Sequence, residues 1–386
     1  MNMKTMAPAE VELNVLTEVR GQVGFITLNR PKTLNALSLS MIRALTHCLL
    51  AWRDDSAIQA VAIRGSSKTG PFGVFCAGGD IRFFHQAALA DDPLLAAFFT
   101  EEYTLNHLIH TFPKPYIAFM DGIVMGGGMG LSGHGRPQTL PSGQLATLRI
   151  VTERTKMAMP ETLIGLFPDV GGGYFLSRCP GRVGEWLALT GEMLGARQAL
   201  DFGLADGCLD TSQLAVAWDL LGHTDFTQRE ALKSWFTIHS VATSPYSTGP
   251  RALIDHYFSL PTVAEIIHAL EADSGEWAQN TAATLRKRSP LMLHVTLEQI
   301  RRARTLSLAD DLRMERDMVH QCLHPLHLGR TARQSETVEG IRARVVDKDN
   351  APQWNPACIE DVTTGMVAPF FNSPWSIQTH PLRDLR

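Results

Sequence analysis

Two carboxylates, Glu161 and Asp169, stand eight positions apart in MPETLIGLFPDVGGG (159–173), a segment otherwise almost wholly apolar or glycine. A carboxylate among Met159, Pro160, Leu163, Ile164, Leu166, Phe167 and Pro168 loses water, which raises its pKa unless donors compensate and suits it to proton transfer near neutrality. The plainer alternative is that both acids cap helix starts.

Upstream, GIVMGGGMGLSGHG (122–135) carries an apolar run over 115–125 into three consecutive glycines, Gly126, Gly127 and Gly128. Without Cβ atoms the chain turns sharply there and a ligand can approach the peptide N–H groups. The helix expected to begin at this turn has unpaired first N–H groups and a favourable dipole, the ingredients of an oxyanion hole. A tight packing turn is the alternative. VFCAGGDIR (74–82) repeats the pattern: an apolar run ends in Gly78 and Gly79, and Asp80 is placed to cap the following helix. Two such turns from separate strands can aim two donors at one carbonyl oxygen, stabilising an enolate or a tetrahedral intermediate.

The elements that must position these groups alternate. Val23–Leu28 reads as strand, 39–53 as a helix through Leu39, Ile42, Leu45, Leu49 and Trp52, and 60–64 as strand. The strand over 115–125 enters a helix after the glycines, and a further helix follows 171–173 through Phe175 and Leu176. This alternation predicts an α/β core over residues 1–210. Beyond 210 helical spacing dominates, as in 291–306 and 309–319, so 211–386 is expected to be a mainly helical C-terminal region completing the fold. SVATSPYSTGP (240–250) reads as a loop, RPQTLPSGQLATL (136–148) as a surface loop or a lid, and the proline-bearing tail from 351 as irregular, surface-wrapped chain.

With 386 residues, 45% of them hydrophobic, the chain can bury a large core. Its 35 Lys and Arg against 39 Asp and Glu give a net charge of −4, and no basic run exceeds RKR at 286–288, which argues against nucleic-acid or membrane-surface partners. No apolar stretch is long enough to span a bilayer. The expected partner is a small molecule. Six scattered cysteines without a CxxC pair indicate neither a disulfide framework nor a zinc ribbon and fit the cytoplasm. Residues 1–20, with Glu10, Glu12, Glu18 and the single arginine Arg20, predict neither a secretory signal nor a transit peptide. His320, Cys322, His324 and His327 crowd together, yet Pro325 breaks the helical phase between the last two, and no metal is expected.

In this order the strings NRPKTLNAL (29–37), FCAGGDIR (75–82), TEEYTLN (100–106), GIVMGGGMGLS (122–132), AMPETLIGLFPDVGGGYFLSR (158–178) and EGIRARVVDKDNAPQWNP (339–356) resemble the crotonase (enoyl-CoA hydratase/isomerase) superfamily. Within it, the likeness is to the branch that hydrolyses 3-hydroxyisobutyryl-CoA. It covers nearly the whole chain, with 210–280 the least distinctive part. The resemblance implies a crotonase-like spiral of ββα units and a thioester oxygen held by the N–H groups of Gly79 and Gly127. It also implies catalytic roles for Glu161 and Asp169 and substrate contacts at Glu102, Gly127, Glu161 and Asp169. Read without the resemblance, Glu102 is a solvated helix face. No cofactor is implied, CoA being part of the substrate, and a homo-oligomer is expected.

Hydratases of this superfamily place two glutamates around one water, one of them just after the glycine triplet. That position is Gly130 here, and Asp169 stands where hydratases usually carry glycine. The exchange implies hydrolysis of a short-chain 3-hydroxyacyl-CoA thioester, 3-hydroxyisobutyryl-CoA in valine breakdown. The alternatives are an enoyl-CoA hydratase or isomerase, and an acyl-CoA-binding protein whose site is impaired by the departures at 136–148 and 324–335.

Overall fold

The computed structural model describes residues 13–136, 139–239 and 250–386. Among these, eight strands form two sheets: β1 (Val15–Arg20), β2 (Val23–Leu28), β3 (Ala60–Gly65), β4 (Tyr116–Met120), β5 (Ile123–Met125), β6 (Thr147–Val151), β7 (Lys156–Ala158) and β8 (Gly207–Cys208). The larger sheet runs β1-β2-β3-β4-β6-β8, antiparallel at β1–β2 and parallel elsewhere, and β5 and β7 pair in a small second sheet. The central strands are apolar on both faces. Val23, Phe25, Ala60, Ala62, Ile117 and Phe119 pack with Trp218 and Trp235 on one side, while Ile26, Leu28, Val61, Ile63, Ala118 and Met120 join the main core on the other. That two-residue period is what a parallel sheet covered on both faces requires.

Three successive units of this spiral end in the same place. After β3, Cys76 bridges Val124 of β5; after β4 comes β5 itself; after β6 comes β7, whose Met157 pairs with Val124. These three second-layer segments lie side by side, so the residues that follow them emerge together: Gly79, Gly127 and Glu161. Residues far apart in sequence become neighbours through strand register alone.

Helices α1 (Leu39–Asp54), α2 (Ile81–Ala90), α3 (Leu94–His110), α4 (Gly127–Leu131) and α5 (Gly172–Leu176) supply the first covering layer. Ser38 caps α1, and Asp80 caps α2 by accepting from Phe83 N at 3.3 Å. Asp80 also holds Arg30 at 2.8 Å, so both serve the fold. The later helices, among them Pro290–Ala303 and Leu308–Leu323, bury Leu291, Leu293, Ile300, Leu312 and Val319 in the same core as the sheet.

Three expectations need correction. The run over 115–125 is not one strand: it breaks at Gly122, whose φ of 65° turns the chain from the large sheet into the small one. The tail from 351 is not merely wrapped on the surface, because it forms short helical turns and buries Phe370 and Leu382. Glu102 is not on a solvated helix face, as the next section details. The loop expected at 240–250 and the leader reading over 1–20 fall largely outside the described residues.

Candidate active site

Helix α3 buries a stripe, Leu95, Phe98, Phe99, Glu102, Tyr103, Asn106 and Ile109, at three- and four-residue spacing. Glu102 falls on this stripe and points inward. Its neighbour Glu101 faces out and pairs with Arg43 at 2.7 Å. Glu161 opens a short 3-10 turn, Glu161–Ile164, directly after β7. Asp169 precedes α5 and accepts a hydrogen bond from the Tyr103 hydroxyl at 2.8 Å. Neither side chain of the 161/169 pair merely caps a helix.

The glycine turns meet them. A Cβ added at Gly126 would lie 2.9 Å from Glu161 Oε1, and one at Gly127 would lie 2.5 Å from Glu102 Oε1. The two turns also touch each other, since a Cβ on Gly78 would stand 3.9 Å from Gly127 N. Gly126 has φ 46° and ψ −121°, a conformation that only glycine holds cheaply. Both candidate oxyanion donors are free of backbone partners among the described residues. Leu37 pairs across Gly79 through that residue's neighbours, donating to Gly78 O and accepting from Asp80 N, which leaves the Gly79 N–H directed away from this ladder. Gly127 N opens α4, where the first N–H groups have no intrahelical acceptor.

Gly79, Glu102, Gly127, Glu161 and Asp169 all line one cavity of 220 Å³, closed on its apolar sides by residues including Ile81, Phe84, Leu163 and Leu166. That space suits a short acyl group. Glu102, Glu161 and Asp169 are only 2%, 7% and 6% exposed, and Glu102 Oε1 and Glu161 Oε2 have no protein hydrogen-bond partner. Burial, reinforced by the neighbouring carboxylates, raises Glu102 and Glu161 well above the ordinary range. Burial pushes Asp169 up to about 6, with the Tyr103 hydrogen bond opposing the rise.

Such a cluster costs stability at alkaline pH. A carboxyl whose folded pKa lies above its unfolded value contributes stability at low pH and loses that contribution as pH rises through the folded value. Glu102→Gln is therefore expected to raise Tm above wild type at pH 8, by roughly 1 °C for each kcal/mol relieved, with the difference closing near pH 4. Calorimetry at the two pH values checks this, and an equal or lower Tm at pH 8 contradicts it.

Gly130, at the position where hydratases carry their second glutamate, has no room for a side chain. A Cβ there would come within 2.6 Å of Asn106 Nδ2 and 2.8 Å of Val170 Cβ. Neither departure from the superfamily pattern blocks the cavity. Within 136–148, residues 139–145 close a small hairpin (Thr139 with Leu145) and Gln144 Nε2 donates to Phe226 O, while Arg136 is buried and Thr147 and Leu148 belong to β6; none of the segment's described residues lines the cavity. The 324–335 segment makes two short 3-10 turns, also outside the cavity lining. The His/Cys cluster disperses: the His320 and His324 rings lie tilted to each other with centroids 4.7 Å apart, Cys322 faces Met292, and His327 packs on Phe370.

Sequence reasoning missed Tyr103 as the partner of Asp169, although it sits beside Glu102 in TEEYTLN. Its one signal was the i, i+1 placement on a helix otherwise patterned for burial.

These features define an α/β spiral protein with a buried acid/base cavity beneath two free peptide donors. Residues 23–371 match the family described as Enoyl-CoA hydratase/isomerase, and the chain belongs to that family. It is 37% identical over 372 residues to the 3-hydroxyisobutyryl-CoA hydrolase, mitochondrial, of Gallus gallus, covering 95% of this chain and 90% of that protein. To the protein of the same name from Homo sapiens it is 38% identical over 357 residues, covering 90% and 86%. Among solved structures, a carnitinyl-CoA dehydratase from Mycobacterium thermoresistibile superposes with a TM-score of 0.83 at 36% identity, covering 97% of this chain and 99% of that one. An enoyl-CoA hydratase from Rhodobacter sphaeroides 2.4.1 gives 0.80 at 33%, covering 94% and 98%.

Proposed function

We propose that this protein hydrolyses a short-chain 3-hydroxyacyl-CoA thioester, 3-hydroxyisobutyryl-CoA, to the free hydroxy acid and CoA, a step of valine breakdown. One observation carries the proposal: Glu161 and Asp169 share a small buried cavity with the free N–H groups of Gly79 and Gly127, while the place for a second hydratase glutamate at Gly130 is filled by Asn106 and Val170. The names of the curated relatives support the same substrate.

In this reading the two N–H groups hold the thioester oxygen as it gains charge. The Glu161 carboxylate, desolvated and hence a stronger base, drives the attack, either on the carbonyl carbon to give an anhydride that water then opens, or on a water that adds to it. Collapse of the tetrahedral adduct breaks the C–S bond and releases the CoA thiolate, which takes up a proton. Asp169, oriented by Tyr103, accepts a hydrogen bond from the substrate's 3-hydroxyl. An acyl chain lacking that hydroxyl leaves the buried acceptor unpaired and is discriminated against. Residues 211–386 complete the fold in this proposal, and the compartment is a reducing one such as the cytoplasm, which the six free cysteines support.

The test is a panel of acyl-CoA esters with and without a 3-hydroxyl, scored by thiol release and, on the same sample, by loss of enoyl absorbance. Thiol release favouring the 3-hydroxy esters by ~10-fold or more is expected. Enoyl hydration outpacing thiol release would assign the hydratase alternative instead, and ester binding without turnover the binding-protein one. Because both carboxyls titrate high, the acid limb of kcat/KM is expected at or above pH ~6, with rate falling about tenfold per unit below it. A limb near pH 4, where ordinary carboxylates titrate, would remove Glu161 and Asp169 from the chemistry.

A further inference from the structure

The turn that presents Asp169 is held from a distance. Gly171 N donates to Glu315 Oε2 at 2.8 Å and Gly173 N to Glu315 Oε1 at 3.0 Å, while Tyr174 N donates to Asp311 Oδ2 at 2.8 Å. Gly172 N closes back onto Asp169 O at 2.7 Å. Gln299 Nε2, from the Pro290–Ala303 helix, donates to Pro168 O at 2.7 Å and to Glu315 Oε1 at 3.1 Å. Every backbone N–H from 171 to 174 thus has an acceptor, and three of the four are supplied by one pair of acids a helical turn apart on Leu308–Leu323. Both acids are fully buried. The glycines make the approach possible, because a Cβ on Gly173 would sit 2.5 Å from Asp311 Oδ1.

The turn needs such holding. Val170, next to Asp169, has φ 56°, and a β-branched residue in the left-handed region is strained. Nothing local offsets this: α5 has no side-chain cap of its own. Groups facing the acid pair are Asp169 and Arg178 from the same turn and helix, Tyr103 from α3, and Gln299. Burial pushes Asp311 up to about 7 and, reinforced by the Asp311 charge, raises Glu315 well above the ordinary carboxylate range.

We infer that Glu315, with Asp311 behind it, is a positioning residue for Asp169: it fixes the strained 169–173 turn so that the Asp169 carboxylate meets the acyl group in the orientation turnover requires. This rests on the hydrolase reading above. It assigns the C-terminal helical region a direct part in the site, though none of its residues lines the cavity.

The experiment is a double-mutant cycle on the full chain with a 3-hydroxyacyl-CoA, together with amide hydrogen exchange. E315Q keeps the volume but turns one acceptor into a donor against a peptide N–H. It is expected to lower kcat about 10–100-fold with KM changed less than about threefold, and to speed exchange at Gly171 and Gly173 at least about tenfold. In a D169N background the same substitution is expected to cost less than about twofold, because what it positions is already gone. Wild-type kcat in E315Q, or an equal loss in both backgrounds, overturns the inference. If E315Q does not fold, E315D, which keeps the charge but withdraws both acceptors from Gly171 N and Gly173 N by one methylene, is put through the same cycle with the same two readings. Failure of the wild type to release thiol from any ester sinks the hydrolase reading instead, and the exchange measurement then decides the clamp by itself.

Discussion

Glu161→Gln releases thiol about 10³-fold more slowly than the wild type, with KM little changed. Gln keeps the volume in a cavity that the side chain lines at 7% exposure, so the fold has no reason to move. What disappears is the only function a partnerless Oε2 in that position serves, taking a proton or attacking a carbon. Loss of a general base or nucleophile costs about 10²–10⁴ in rate, and a value inside that range applies because the neighbouring carboxyls are otherwise engaged: Asp169 is tied to Tyr103, and burial beside Asp169 and Glu161 raises Glu102 well above the ordinary carboxylate range. Asp169→Asn is expected to fall less far, and mainly with esters that carry the 3-hydroxyl. Near-normal rates in both variants would sink the assignment. The two forms of attack separate in ¹⁸O-water: a single turnover followed by peptide analysis places label in Glu161 if an anhydride forms, and leaves it unlabelled if water attacks directly.

Much of this site was legible in the chain because its parts are local. The glycine strings at 78–79 and 126–128 and the apolar setting of Glu161 and Asp169 announce themselves within a dozen residues, and the segments leading into both strings are continuous apolar runs. Strand register then does what no local reading could. Only the pairing of Cys76 with Val124 and of Val124 with Met157 brings the three segments into line. The break at Gly122 was invisible because the run over 115–125 is apolar throughout, and nothing in periodicity distinguishes one buried strand from two that change sheets. Glu102 illustrates the opposite failure. A pair of glutamates on a helix reads as solvated surface, and which of the two turns inward depends on the α3 stripe through Phe98, Phe99, Tyr103 and Asn106. Asp311 and Glu315 gave no sign either, since acids one turn apart on an amphipathic helix are ordinary and their partners lie about 140 residues away.

In the proposed reaction the carboxylates account for proton movement and the peptide donors for charge stabilisation, and a backbone group cannot be deleted. Gly127→Ala comes nearest. Gly127 is helical, outside the left-handed region, so alanine fits its backbone. The added methyl's tight contacts would be with flexible ends, Glu102 Oε1 at 2.5 Å and Leu37 Cδ1 at 3.2 Å, which can give way, and its contact with the Gly78 backbone carbon at 3.6 Å is ordinary. The same methyl stands where the thioester oxygen must approach the Gly127 N–H. Lengthening that hydrogen bond forfeits what a single oxyanion donor supplies, a factor of roughly 10²–10³ in turnover. The expected result is therefore a protein with wild-type circular dichroism and near-wild-type Tm that releases thiol at least about 10²-fold more slowly. Gly128→Ala is the contrast, because its Cβ would lie 2.4 Å from the Cys76 carbonyl oxygen, a backbone atom locked in the second layer, and this variant is expected to lose stability outright. If Gly127→Ala turns over like the wild type while Gly128→Ala unfolds, the turn at 126–128 is a packing device and the oxyanion lies elsewhere.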